Sequence, residues 1–328
     1  LLWRQADFRW RQSQILLDQA QEILQTVDGA SEDMLVQTPG ALEYRYKSLK
    51  QSIRFREQLY AMTPENPTKR RALAVTYFRL GKICCRRGLF AEGHTNYLVT
   101  LGIMQELLGA DPTNPKLRFN YFHTCLGLDN TSRELGEPGG EDAGYLLQAL
   151  DSIRSLVREH PENIDYRDAL ACTLLMYGGR IQTDNALQSR AAIQQAYEEA
   201  WSLKQQLPEP CLHWRHVGTA AMALAEICLR EGDLEGAESW SLIAESSIED
   251  FLKRPDLDPL ELMDLAGCQL LMRKIALHRG DQATAATWVE RLRTLIETSA
   301  EKYPDLFAFS DFRDRLDQIL ANESVSIK

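Results

Sequence analysis

Few side chains in this sequence stand where they could hold a metal or attack a substrate. Cys211, His213 and His216 come nearest. The two histidines are three residues apart, so a helix would turn both imidazoles to one face, a spacing that can ligate zinc. No fourth donor and no second metal-like pair accompany them, and Trp214 beside them suits a half-exposed helix start. The trio therefore reads as structural or surface residues, with a metal-dependent hydrolase as the remote alternative. Cys84 and Cys85 are helix neighbours about 100° apart, so packing of at least one is expected over a strained vicinal disulfide or a thiol activated by Arg86 and Arg87. His123 with Cys125 could pair base and nucleophile, but no acid stands at a readable spacing to orient the base. Glu198-Glu199 and Glu245/Glu249 read as solvated helix faces, because paired catalytic carboxylates need a pocket around them. No glycine loop that cradles phosphate is present, and Asp311-Phe312-Arg313-Asp314 has arginine where an Asp-Phe-Gly metal motif needs glycine. The expectation is no metal, no cofactor and no catalysis by this chain.

The elements that would position any site are marked by prolines. Pro64, Pro112, Pro161, Pro208, Pro255 and Pro304 follow one another at intervals of 48, 49, 47, 47 and 49 residues. Proline disfavours helix in the residue before it and is welcome in the first turn of the next helix. Twenty-four residues after the first five stand Gly88, Gly136, Asn185, Gly232 and Arg279, the last followed by Gly280. Glycine and asparagine tolerate the left-handed backbone that ends a helix. Each unit is thus read as two helices of roughly 18–20 residues around a central turn. Seventeen residues after each proline come Gly81, Asp129, Gly178, Ala225 and Met272, with Gly127 two places before Asp129. The small residues among them fit a close crossing of the two helices. The fold class predicted is all-α, an α-solenoid of stacked antiparallel helix pairs with a repeat of ~48 residues.

Bulk properties agree. The chain has 328 residues, is 44% hydrophobic and 26% charged, and carries a formal net charge of −10. That balance argues against nucleic acid as the main partner, since phosphate binding needs a basic face; a basic or amphipathic target fits better. Seven cysteines (Cys84, Cys85, Cys125, Cys172, Cys211, Cys228, Cys268) are an odd number and fall mostly inside predicted helices. They read as small buried residues, which favours a reducing compartment. No apolar run approaches the length a membrane-crossing helix needs. Beginning at Leu1 without methionine, the chain reads as a piece of a longer protein.

Three regions are expected: an N-terminal long helix and leading hairpin (1–66), five helix pairs (67–304), and a C-terminal capping helix and tail (305–328). The first helix, about 2–27, carries a heptad seam from Trp3 through Trp10 and Leu17 to Val27. Its Trp3, Arg4, Arg9, Trp10 and Arg11 suit a membrane–water boundary, against the plainer reading of packing on the next helix. A loop at 28–39 and a helix at 41–62 follow. The first pair is placed near 68–87 and 90–109. The last helix is placed at about 311–320, and residues 321–328 should fray.

Leu80-Gly81, with Tyr77 three residues before the leucine and Gly88 at the turn, resembles the tetratricopeptide repeat (TPR). So do Leu224-Ala225, Cys228, Gly232-Asp233 and Ala237, and again Gly280-Asp281, Ala285 and Val289. The prolines here are spaced more widely than the usual TPR period, and closer to that of a HEAT-like repeat, so HEAT is the alternative at fold level. Residues 49–93, with Pro64-Glu65-Asn66-Pro67 and Arg79-Leu80-Gly81, resemble more particularly the C-terminal repeat region of bacterial membrane-anchored serine/threonine protein kinases. That resemblance implies a kinase domain and a membrane span upstream, membrane proximity for the N-terminal helix, and a non-catalytic interaction or sensor module in the repeats. A free-standing cytoplasmic TPR scaffold is the alternative. TPR-like arrays bind protein or peptide along a concave groove lined by the first helices. Carried over by offset from the Leu-Gly marks, the groove positions are Phe78, Lys82, Tyr121, Thr124, Leu128, Thr131, Leu175, Gly179, Met222 and Glu226. The repeated Lys/Asn/Arg places of the branch that clamps a peptide carboxylate are missing.

Overall fold

Local capping chemistry decides where the helices begin. In Pro64-Glu65-Asn66-Pro67 the work falls to Asn66, whose side chain accepts from the Thr68 and Lys69 N–H groups at 3.0 and 3.1 Å, while Pro67 fills the first helical position. Asn114 repeats this with Lys116 and Leu117, and Asn163 caps through Tyr166. Each cap satisfies donors that a helix start leaves without partners.

A computed structural model describes residues 41–62, 66–136, 144–182, 185–207, 212–253 and 259–326. Among them are twelve α-helices, one 3-10 turn at Pro259–Glu261 and no strand. They fall into two compact units, one ending at Glu141 and the other beginning at Asp142. In the first unit are α1 (Ala41–Met62), α2 (Pro67–Arg86), α3 (Phe90–Ala110) and α4 (Pro115–Glu134). The second holds α5 (Tyr145–Glu159), α6 (Ile164–Arg180), α7 (Ala186–Gln206), α8 (Leu212–Glu231), α9 (Leu234–Phe251), α10 (Leu262–His278), α11 (Gln282–Lys302) and α12 (Phe307–Ser326). The predicted first helix, its loop, and Pro64, Pro208 and Pro255 lie outside the described residues.

The midpoint turns are left-handed at Gly88, Gly136, Gly232 and Gly280, with φ between 63° and 79°. At Gly88 the Leu89 N–H donates to the Cys84 carbonyl at 2.8 Å and the Gly88 N–H to that of Cys85 at 3.0 Å, closing the end of α2. Gly232-Asp233 and Gly280-Asp281 combine two jobs, since each aspartate also caps the next helix, accepting from Gly236 at 2.9 Å and Thr284 at 3.0 Å. Two turn assignments change. Asn185 has φ −147° and caps the start of α7 through Gln188, and Arg279 stays right-handed while Gly280 makes the turn.

Pairs cross closely at their small residues. Tyr97 on α3 is buried between Gly81 and Gly127, and a Cβ at either glycine would sit 2.7 Å from its ring. Crossing in the second repeat thus occurs at Gly127, and Asp129 is buried beside it. Core positions follow helical spacing, as with Leu73, Thr76, Leu80 and Ile83 on α2. Buried threonines are tolerated because Thr76, Thr100, Thr124 and Thr173 each donate to the carbonyl four residues back at 2.7–2.9 Å. The final helix is longer than the sequence suggested. Leu306, Phe309, Leu316 and Leu320 are buried, Arg273 of α10 donates to the Leu320 carbonyl at 3.1 Å, and α12 continues to Ser326 where fraying was expected.

Gly81→Ala should cost about 1–3 kcal/mol of stability, because Tyr97 is held on its other side by Gly127 and has nowhere to retreat. Urea denaturation of the two proteins measures this; equal midpoints would show that the ring yields freely.

Candidate peptide-binding groove

In the first unit, α2, α3 and α4 leave a cleft of about 170 Å³. Val75, Phe78 and Arg79 come from α2, Thr100 and Met104 from α3, and Asn120, His123 and Thr124 from α4. Phe78 is half-buried, its ring centroid 5.5 Å from that of Tyr97 and 6.3 Å from that of His123. His123 also packs edge-on against Phe119 at 4.5 Å and near Phe122 at 4.8 Å. The Asn120 Nδ2 is buried and finds no hydrogen-bond partner among the described residues.

Burial, helped by the positive charge of Lys82, lowers the His123 pKa to about 4, so that imidazole is uncharged at neutral pH. A larger hollow bounded by α1, α2 and α3 is lined by a polar network of its own. Lys50 contacts Glu92 at 2.8 Å and Tyr46 at 2.6 Å, and Tyr77 donates to Glu57 at 2.5 Å.

The positions carried over by offset divide. Phe78 lines the cleft, and Lys82 is exposed one turn further along α2. Tyr121 is half-buried against Ala74, Met104 and Leu117. Leu128 and Thr131 are fully buried, and Thr124, equally buried, backs the cleft. Thr124 donates to the Asn120 carbonyl behind the wall, and the Thr131 hydroxyl donates to Gly127 and lies 2.9 Å from His94 Nδ1.

In the second unit Leu175 packs on Ile193, Leu224 and Ile227, and Met222 packs on Leu271, Ile275 and Cys268. Half-exposed Glu226 lies 3.7 Å from Lys274, and Gly179 is exposed. The reason is shared. Successive first helices lie side by side, so much of what faces along the groove fills the seam between them.

Other candidates separate as clearly. Burial pushes the Cys84 thiol up to about 12 and the Cys85 and Cys125 thiols to about 11, the opposite of activation. Cys125 is fully buried next to a neutral His123, so these two form no thiolate–imidazolium pair. Cys211 and the His213 side chain lie outside the described residues. His216 is buried and its Nδ1–H donates to Asp168 Oδ1 at 2.8 Å, while Cys172, one turn after Asp168 on α6, interacts electrostatically with the same imidazole. Arg215 beside it pairs with Asp264 at 2.5 Å.

Sequence reasoning missed these partners, yet a signal existed. Asp168 and His216 are 48 residues apart and Arg215 and Asp264 are 49 apart, so laying each repeat on the next aligns them.

No family model matches the chain, and no curated protein matches its sequence. Solved structures do. BtubC (BKLC) from P. vanneervenii is similar at a TM-score of 0.50 and 18% identity, over 79% of this chain and 92% of that one. A thermophilic TPR protein of Thermus thermophilus, TTC0263, matches at 0.42 and 16%, over 74% of this chain and 97% of that one. A tetratricopeptide repeat protein from Parabacteroides merdae matches at 0.38 and 16%, over 88% and 99%. Identities this low speak to fold alone, and the fold of each unit is all-α, built of antiparallel helix pairs.

The buried imidazole makes stability pH-dependent. Since His123 is depressed from 6.5 to about 4, the unfolded chain binds that proton first, and stability is lost as pH falls from 6.5 towards 4. His123→Phe should flatten the upper part of this window, read as urea midpoints against pH. Carboxylates with lowered pKa, such as Glu43 and Glu92, act only below 4.5, so they leave that part untouched.

Proposed function

We propose that this chain is a non-catalytic protein- or peptide-binding repeat module whose anchoring pocket is the cleft at Phe78, Met104 and Asn120. The observation that carries this reading is the Asn120 Nδ2, buried without a hydrogen-bond partner among the described residues, in a cleft that also presents Val75, Phe78 and Met104. A buried donor left unsatisfied costs about 1–3 kcal/mol. A peptide carbonyl accepting from it would remove that cost, and an apolar side chain against Phe78 and Met104 would add about 1.5–3 kcal/mol by burial. Such a mixture of apolar wall and few polar groups is what an amphipathic peptide needs. Lys82 and the half-buried Tyr121 extend the same face, and Gly179 and Glu226 are the positions of the second unit that keep exposed surface.

Peptides selected from a random phage-displayed library against the chain provide the test. Phe78→Ala and Asn120→Leu should each weaken a selected peptide about tenfold, as expected where a few contacts supply most of the affinity. Leu242→Ala, at an exposed site on α9, should change nothing. Peptides indifferent to both cleft substitutions would overturn the assignment.

The likeness of residues 49–93 to kinase-associated repeats supports a narrower reading, that the module belongs to a membrane-anchored bacterial serine/threonine kinase-like protein and serves it as a sensor. No described helix is long and apolar enough to cross a membrane, so any span would lie elsewhere. An upstream reading frame encoding a catalytic loop and an apolar segment is the expected result. A reading frame that starts at these repeats would favour a free-standing scaffold.

A further inference from the structure

Asp168, Cys172 and His216 bring a nucleophile, a base and an orienting acid together. Asp168 and Cys172 are four apart on α6, so they share a face, and α8 delivers His216 to both. Asp168 accepts from Nδ1 at 2.8 Å, which leaves Nε2 unoccupied by that bond, and Cys172 on the same face of α6 interacts with the same imidazole. This is the order of contacts by which a thiol is activated: the acid holds the imidazole in one orientation and stabilises its charge, and the imidazolium stabilises the thiolate. Cys172 is also only half-buried, where Cys84, Cys125, Cys228 and Cys268 are buried. Three residues before Leu175 and seven before Gly179, it lies on the face proposed to meet a ligand.

The electrostatics point the same way. Burial alone would raise the Cys172 thiol, but the hydrogen bond and charge of His216, with the charge of Arg215, outweigh burial and leave it below its ordinary value. Burial would likewise lower His216, yet Asp168 and Cys172 together push it up to about 10. The groups facing the sulfur are thus Asp168 from its own helix and Arg215 and His216 from α8, with Arg215 in turn bound to Asp264 of α10.

We propose that Cys172 is a nucleophilic thiolate, held by the Asp168–His216 pair, that hydrogen peroxide converts to a sulfenic acid. The sulfur attacks one peroxide oxygen, an S–O bond forms and the O–O bond breaks. The departing hydroxide takes the Nε2 proton of His216 and leaves as water. Sulfur is oxidised by two electrons and peroxide is reduced by two. The product adds a polar oxygen to the groove face, so a selected peptide should bind differently after oxidation. That consequence rests on the groove reading; the reactivity does not.

The test uses the full chain, with peptide-resolved mass spectrometry of each cysteine. Iodoacetamide should alkylate Cys172 about tenfold faster than Cys85 or Cys228 near pH 6, with its pH profile displaced below that of an ordinary thiol. Peroxide followed by dimedone should place the adduct on Cys172. His216→Gln should move the profile up into the ordinary thiol range and remove the adduct. Asp168→Asn should slow alkylation near neutral pH, and it provides the second reading if His216→Gln does not fold, as judged by circular dichroism. A wild-type profile like that of Cys228 would overturn the proposal, as would a folded His216→Gln protein with unchanged rates. Fast alkylation without a dimedone adduct would overturn the peroxide step.

Discussion

Every helix in a stacked array ends against a neighbour, so the amide and carbonyl groups left open at that end must find partners within a few residues. On this constraint the rest of the structure depends. Asn66-Pro67 and Asn114-Pro115 meet it at helix starts, and Gly232-Asp233 and Gly280-Asp281 meet it at both sides of a turn. First helices begin at nearly constant spacing, at Pro67 and Pro115 in the first unit and at Ile164, Leu212 and Leu262 in the second. Register then decides which side chains meet. Asp168 reaches His216, Arg215 reaches Asp264 and Arg273 reaches the Leu320 carbonyl, each across roughly one repeat.

The same spacing produces close approach within pairs. An aromatic ring as large as Tyr97 can lie between α2 and α4 only because both present glycine to it. Its neighbour Phe78 then cannot sink further and remains half-buried, forming one wall of the cleft. Asn120, on the facing helix, is left with its Nδ2 buried and without a hydrogen-bond partner among the described residues. The pocket is in this sense a by-product of a tight crossing, with a buried amide donor that is costly to leave unbonded at its surface.

The helix pairs were legible in the sequence because their signals are local: a cap is chemistry between residues close together in the chain. Asn185 shows the limit, since asparagine serves equally as the last residue of one helix or the cap of the next, and only its φ of −147° settles which. Groove positions were less legible, because offsets taken from a shorter repeat assume a fixed rotation of each first helix. Here Thr124, Leu128 and Thr131 turn inward, where threonine survives by bonding its own helix carbonyls, and a buried threonine looks in sequence like an exposed one. The α12 boundary failed for a related reason. Its Asp311-Phe312-Arg313-Asp314 stretch looks like a helix start, but Leu306 and Phe309 bury ahead of it and draw the helix back to Phe307.

Cysteine makes the case that residue type carries little chemistry without its neighbours. Cys84, Cys125 and Cys268 lie in apolar surroundings that oppose ionisation, and their thiols are raised to between about 11 and 12. Cys172 occupies the same kind of helix in the same kind of fold, and the outcome is reversed by one neighbour. A histidine arriving from the next repeat brings a charge, and the aspartate one turn away keeps that charge in place. Substituting an apolar residue for His216 would return Cys172 to the common pattern. The repeat therefore supplies more than a scaffold: by bringing equivalent positions of adjacent units into contact, it lets a single change of residue type in one unit alter the chemistry of the unit before it.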